Sequence, residues 1–301
     1  TNYEGEAADP SEEPRLLFEQ GYMDFVSEHV LAAGTEELEG YGIIPICWYY
    51  PWYTGGLFEC VSERIKARTA FMKVDHATDD AYEPLAYSDF DMDRFGYFRS
   101  ERAAWDKSYG TTYSGVLRYA NRFDLLQRDA AGNVTGIKPV VFYLDADYPD
   151  ELVEQANQVG AQWAKAFDAA VRAATGREPS DFGFEHAFVV CENNAPTAAA
   201  RTGATAGTTT PCEVTEEVKR NGDLRYNFLF AVQAATENGL YGYGPSSADP
   251  LNGRIVSAAA YNYVAAMREG ANRALDRLEM MAGVKSYREI AYADYIAQAV
   301  K

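Results

Sequence analysis

Lys138-Pro-Val-Val-Phe-Tyr-Leu144 constrains the fold more than any other segment. It is an unbroken apolar run of strand length, lacking the alternation of a sheet with one wet face. It therefore reads as a central strand covered on both sides. Asp145-Ala-Asp-Tyr-Pro-Asp150 follows at once. A proline in the first turn and acids near the helix N-terminus mark a helix start, which explains Asp145, Asp147 and Asp150 more cheaply than an acid–base pair. Val153, Ala156, Val159, Trp163, Phe167 and Val171 recur every three or four residues as a buried stripe, and Gly176 closes the helix near Thr175.

Downstream, Phe184 to Glu192 reads as a strand containing His186. The turn Asn221-Gly222-Asp223 leads into Leu224, Tyr226, Phe228, Phe230 and Val232, whose period of two marks a half-buried strand. A glycine-studded loop, Gly239 to Pro245, follows, then the turn cluster Asp249-Pro250-Leu251-Asn252-Gly253 and a short strand, Arg254-Ile255-Val256. Ser257 to Ala282 carries Ala260, Val264, Met267, Ala271, Leu275, Leu278 and Met281 at helical spacing, with Gly283 as its cap. Tyr287 to Val300 is helical in character.

Upstream, residues 1–14 form an acidic, proline-bearing tail. Leu16 to Ala33 has helical spacing through Leu17, Tyr22, Phe25, Val26 and Val30, with His29 as a surface or packing residue. Val61 to Val74 is strand-like, with Arg64, Lys66 and Arg68 on a wet face. Tyr113 to Tyr119 and Phe123 to Gln127 look like antiparallel strands, and Asp129 to Asn133 is a hairpin turn. The expected fold is α+β: a mixed twisted sheet with two long packed helices in residues 136–301, preceded by a β-rich region in residues 1–135.

The formal net charge of −18 excludes nucleic acid and anionic lipid as primary partners. No run of 18 apolar residues exists, so no membrane span is expected, and no signal peptide is recognisable. The polar start Thr1-Asn2-Tyr3-Glu4 is that of a mature or trimmed product, which leaves room for a lipid anchor upstream. The cysteines Cys47, Cys60, Cys191 and Cys212 fall into two sequence-local pairs. Pairing them as Cys47–Cys60 and Cys191–Cys212 places the chain in an oxidising, extracytoplasmic compartment (periplasm, outer membrane or cell surface); four reduced, buried thiols are the alternative.

The block Gly222-Asp-Leu-Arg-Tyr226, then Gly244-Pro-Ser-Ser-Ala-Asp-Pro250 and Asn252-Gly-Arg-Ile-Val256, resembles the conserved block of a family of exported bacterial lipoproteins predicted to be zinc-dependent, metzincin-like metalloproteases. Further pieces resemble that family in the same order: Asp91-Met-Asp-Arg-Phe-Gly-Tyr-Phe-Arg99, Asn121-Arg-Phe123, the strand at 138–144 with its helix, and Cys191-Glu-Asn-Asn194 with Cys212. Arg254 departs from the pattern, standing where the family usually has Glu. The resemblance implies a metzincin-like subdomain upstream of the zinc-binding helix. It makes Asp223, Arg225, Tyr226, Phe228 and Phe230 a substrate-edge strand, binding extended peptide by β-addition. Gly244, Pro245, Ser246, Asp249, Pro250 and Gly253 become a cleft loop.

Such a protease needs His-Glu-x-x-His-x-x-Gly-x-x-His, two histidines one helical turn apart on zinc and a glutamate as base. His29, His76 and His186 have no such spacing, so zinc is expected only if the chain continues past Lys301. Asp89, Asp91 and Asp93 alternate like a calcium loop, but Arg94 and Ser100 stand where an EF-hand needs glycine and glutamate. Nucleophile-elbow, P-loop and Rossmann patterns are absent. Three functions follow as expectations. The first is a non-catalytic portion of an exported metzincin-like metalloprotease-family protein, supplying scaffold and substrate edge to a peptide substrate or protein partner. The second is an accessory or structural subunit of an extracytoplasmic assembly reusing that scaffold. The third is a sugar-stacking module built on Trp48, Trp52 and Tyr53, the alternative for that aromatic cluster being a buried strand and a cystine-closed loop packed on the sheet.

Overall fold

The computed structural model describes residues 12–45, 62–74, 82–104, 115–193, 211–212, 218–234 and 240–290. The expected Cys47–Cys60 bridge and the aromatic cluster at Trp48–Tyr53 lie outside these residues. The fold is α+β. The chain forms two compact units, one of residues 1–229 with 245–259, the other of residues 230–244 with 260–301. Within the first unit, tertiary bonds described below tie the N-terminal strands to residues 223–225.

In the first unit, β1 (Arg15–Leu17), β2 (Tyr22–Leu31) and β5 (Glu63–Met72) make an antiparallel sheet in the order β1-β2-β5. The helix expected over Leu16–Ala33 is thus corrected to a strand. β2 pairs with β5 along its whole length, from Tyr22 opposite Met72 to Leu31 opposite Glu63. Tyr22 and Asp24 face inward while Met23 and Phe25 are exposed, a period of two that the spacing of Phe25, Val26 and Val30 concealed. Between these strands, β3 (Thr35–Leu38) and β4 (Gly42–Pro45) form a hairpin.

The aspartates at 89–93 open a helix rather than a cation loop. α1 (Asp89–Phe95) starts with a capping box, Asp91 N–H donating to Ser88 Oγ and Ser88 N–H to Asp91 Oδ2. β6 (Arg99–Ala104) and β7 (Gly115–Ala120) pair antiparallel, as do β8 (Leu126–Arg128) and β9 (Val134–Ile137). Of the two strands expected at 113–127, the first is β7 and the second is displaced to β8, from Leu126, and they belong to different hairpins. Asp129 closes the second of these by accepting from the N–H groups of Ala131 and Asn133.

The main sheet holds β10 (Val140–Leu144) between β11 (Phe188–Cys191) and β12 (Asn227–Val232), parallel to both. Helix α2 (Asp150–Thr175) makes the crossover from β10 to β11. Its buried line is Val153, Ala156, Gly160, Ala164 and Val171, while Val159 and Trp163 stay largely exposed. Small residues set this line: a Cβ on Gly160 would come within 2.8 Å of Val190 Cγ2, so the helix lies close on β11. Phe167 and Trp163 flank the contact and meet Phe188, at ring distances of 5.1 and 6.5 Å. Val171 packs with Ile137 and Ala187 in a core shared with Phe167, Phe182 and Phe184.

β15 (Ile255–Tyr263) follows β12 in the sheet and continues seven residues beyond the expected short strand, to the point where α3 (Val264–Met281) begins. The alanines at 258–260 fit either structure. The β-branched and aromatic residues around them, Ile255, Val256, Tyr261 and Tyr263, decide for the strand. In the first unit β14 (Ser246–Ala248) pairs antiparallel with the opening of β15, with a bulge at Ser247/Ala248. In the second unit β13 (Gly242–Tyr243) pairs antiparallel with its end, and Tyr261 stacks on Phe230 at 4.7 Å and 9°.

Candidate functional site

Asp223, Arg225 and Tyr226 do not form a strand. They occupy the turn before β12, and they build a buried ion-pair hub. Arg225 grips Asp223 with a planar fork, Nε 3.0 Å from Oδ1 and Nη2 2.6 Å from Oδ2. Its Nη1 donates to Gln20 Oε1, and its guanidinium lies 4.7 Å from the centre of the Tyr22 ring. Arg15 Nη1 stands 3.8 Å from Asp223 Oδ2. Next to this group, Asp24 accepts from Arg68 Nη1 at 2.6 Å and from the Tyr22 hydroxyl at 2.6 Å. The Asp24 and Asp223 side chains are both fully buried.

The electrostatics follow from these contacts. The Asp223 hydrogen bonds raise the Arg225 guanidinium above its ordinary value. Burial, and then the bond to Asp24, push the Tyr22 hydroxyl well above 10.0. Two carboxylates, three arginines and a tyrosine thus bind β1, β2 and β5 to the segment entering β12. Nearby, Lys219 Nζ lies 4.2 Å from the Tyr143 ring centre, and Asn193 exchanges two 2.8 Å bonds with the Lys219 backbone. The Cys191–Cys212 disulfide forms as paired in sequence, with Cα atoms 5.9 Å apart, and it fits an oxidising, extracytoplasmic setting.

β12 is internal to the sheet, with β10 on one side and β15 on the other. The substrate-edge expectation for Asp223, Arg225, Tyr226, Phe228 and Phe230 is therefore corrected. Residues 227–229 of β12 pair with β10, and β15 lies on the other side of the strand, so it is not a sheet edge. Phe228 is buried, and Phe230 stacks on Tyr261. The terminal strand of the sheet on this side is β13, antiparallel to β15. Gly244, Pro245 and Ser246 lie at or next to the short strands that flank β15. Asp249, Pro250 and Gly253 form a tight turn: the Asp249 carbonyl accepts from Gly253 N–H at 2.8 Å and its carboxylate accepts from Leu251 N–H at 2.9 Å. Gly253 has φ +77°, and a Cβ there would sit 2.6 Å from the Ala120 carbonyl oxygen. The turn is anchored against β7, and of this neighbourhood Arg254 is the residue that reaches the cleft.

That cleft, of about 380 Å³, opens where β10, β12 and β15 begin. Lys73, Phe123, Asp124, Lys138, Val141, Arg225, Tyr226 and Arg254 are among its walls. Lys138 Nζ pairs with Asp124, and burial holds the Arg254 guanidinium below its ordinary value. Of these residues the sequence pointed to Arg225, Tyr226 and Arg254. Lys138 opens the segment read as the central strand, Lys73 and Asp124 carried no signal, and only the folded chain brings the three together.

Among the described residues no three His, Cys, Asp or Glu side chains converge as a metal site. His29 Nε2 bonds to Ser27 Oγ at 2.8 Å and His186 Nδ1 to Asp168 Oδ2 at 2.8 Å, on separate elements. His76 lies outside the described residues. Among the described residues no helix is long and apolar enough to cross a membrane. The sequence matches no protein-family model, and comparisons with curated proteins and with solved structures gave no match.

Proposed function

We propose that this chain is a non-catalytic part of an exported, metzincin-like zinc-metalloprotease-family protein, supplying its scaffold and a sheet edge for an extended peptide. The observation that carries this reading is the terminal strand β13. It runs antiparallel to β15, ends the sheet on that side among the described residues, and its Gly242 and Tyr243 are exposed. Such an edge presents backbone N–H and C=O groups to an added strand. The ordered resemblance of residues 222–256 to the lipoprotein family adds support, as does the shared sheet of the strands at 140–144 and 227–232. The disulfide fits an exported protein.

In this role the buried ion pairs hold structure and take no part in bond cleavage. The purified chain, supplied with zinc, is expected to leave unfolded casein intact. Cleavage that EDTA abolishes and that co-purifies with the chain would overturn the non-catalytic assignment.

A further inference from the structure

We infer that an extended peptide is selected at β13 by an aromatic side chain placed opposite Tyr243, an inference that rests on β13 being the sheet edge proposed for peptide. Phe230 on β12, Tyr261 on β15 and Tyr243 on β13 form a row of rings across neighbouring strands. Phe230 and Tyr261 stack at 4.7 Å and 9°, and Tyr261 and Tyr243 at 6.4 Å and 18°. Tyr261, in the middle of the row, is half-buried, and burial raises its hydroxyl above its ordinary value. Among the described residues the row ends at Tyr243, which is exposed.

Side chains directly opposite on paired strands share one face of a sheet, with Cβ atoms about 5 Å apart. A strand added to the outer side of β13 thus sets one side chain beside the Tyr243 ring, as Tyr243 itself is set beside Tyr261. An aromatic ring there extends the row by one stacked contact, whereas a small side chain leaves the Tyr243 ring face in water. The opposite face of β13 has only Gly242, where a Cβ would stand 3.2 Å from the Tyr261 carbonyl oxygen, so selection falls on the tyrosine face. The neighbouring Tyr241 is engaged elsewhere: its hydroxyl lies against α3, where a Cβ on Gly270 would stand 2.8 Å from it. Residues 240–244 and 260–263 carry no charged side chain, although 24% of the chain is charged and its net charge is −18. Recognition at this edge therefore works through backbone bonds and ring contact, and a peptide without acidic residues suits it.

Titration of the whole chain with the capped peptides acetyl-Thr-Thr-Xaa-Thr-Thr-amide, Xaa being phenylalanine, leucine or alanine, tests it. Hydrogen–deuterium exchange at residues 240–244 reports binding at the edge. The phenylalanine peptide is expected to bind about tenfold more tightly than the alanine peptide and about threefold more tightly than the leucine peptide, because it adds both ring burial and stacking. Tyr243→Ala is expected to bring the phenylalanine-to-alanine ratio down to about twofold, and Tyr243→Phe to keep it, while unchanged circular dichroism reports an intact fold. Equal protection of 240–244 by all three peptides would overturn the aromatic preference and leave the edge itself standing. So would a ratio that Tyr243→Ala does not move in folded protein. Exchange at 240–244 that none of the peptides slows would overturn the edge, and the aromatic preference with it.

Discussion

Replacing Asp223 with alanine is expected to lower stability by about 3–5 kcal/mol, the cost of leaving a buried ion pair half made. The carboxylate is fully buried and takes both arms of the Arg225 fork. Without it, Arg225 keeps Gln20 and the aromatic rings but loses its counter-charge, and Arg15 loses a carboxylate at 3.8 Å. Asp223→Asn is expected to lose most of the same stability, since the shape is kept and the charge is not. Urea denaturation checks this through the midpoint. Asp24→Asn should also destabilise, through Arg68 and Tyr22, and the double substitution should cost less than the two singles together. Tyr22 touches both halves of the network, and groups in one network do not add. A loss of under about 1 kcal/mol for Asp223→Ala would mean that the hub is only a surface-like ion pair.

The second large effect concerns Cys191 and Cys212, which close a loop with a sequence separation of 21. Replacing both with serine is expected to cost about 3 kcal/mol, mostly by freeing the unfolded chain. Cys191 ends β11, and Asn193 two residues on clamps the Lys219 backbone. The loss should therefore appear as faster amide exchange at residues 188–193 and 218–220 as well as a lower unfolding midpoint. Dithiothreitol should reproduce it in the parent chain. A variant as stable as the parent would remove the disulfide from the account of why this fold suits an oxidising compartment.

How much of this was legible in the sequence depends on how local each signal was. β10 and α2 were readable because the apolar run, the Pro149 start and Gly176 all act within a few residues of the structure they specify. The Cys191–Cys212 pair was readable from nearness alone. β2 was misread because its apolar residues fit a helical spacing, and its partner β5 begins more than thirty residues later. β15 was cut short because the alanines at 258–260 favour a helix on their own, and only the surrounding sheet overrides that preference. Asp24 gave no signal at all: its importance lies in Arg68 and in a hub whose other half, at Asp223 and Arg225, is brought in by the fold. Sheet order was equally hidden. Alternation in Leu224–Val232 indicated a strand, but a pattern of side chains does not say whether a strand is central or terminal.

The relocation of the sheet edge, from the segment at 223–232 to β13, is the point on which the proposed function turns. Hydrogen–deuterium exchange of the chain with and without an extended, unfolded peptide in excess tests it most directly. The account predicts new protection at residues 240–248 and none in β12, which lies between β10 and β15 in the sheet. Protection confined to other segments, with exchange at 240–248 unchanged by saturating peptide, would contradict it.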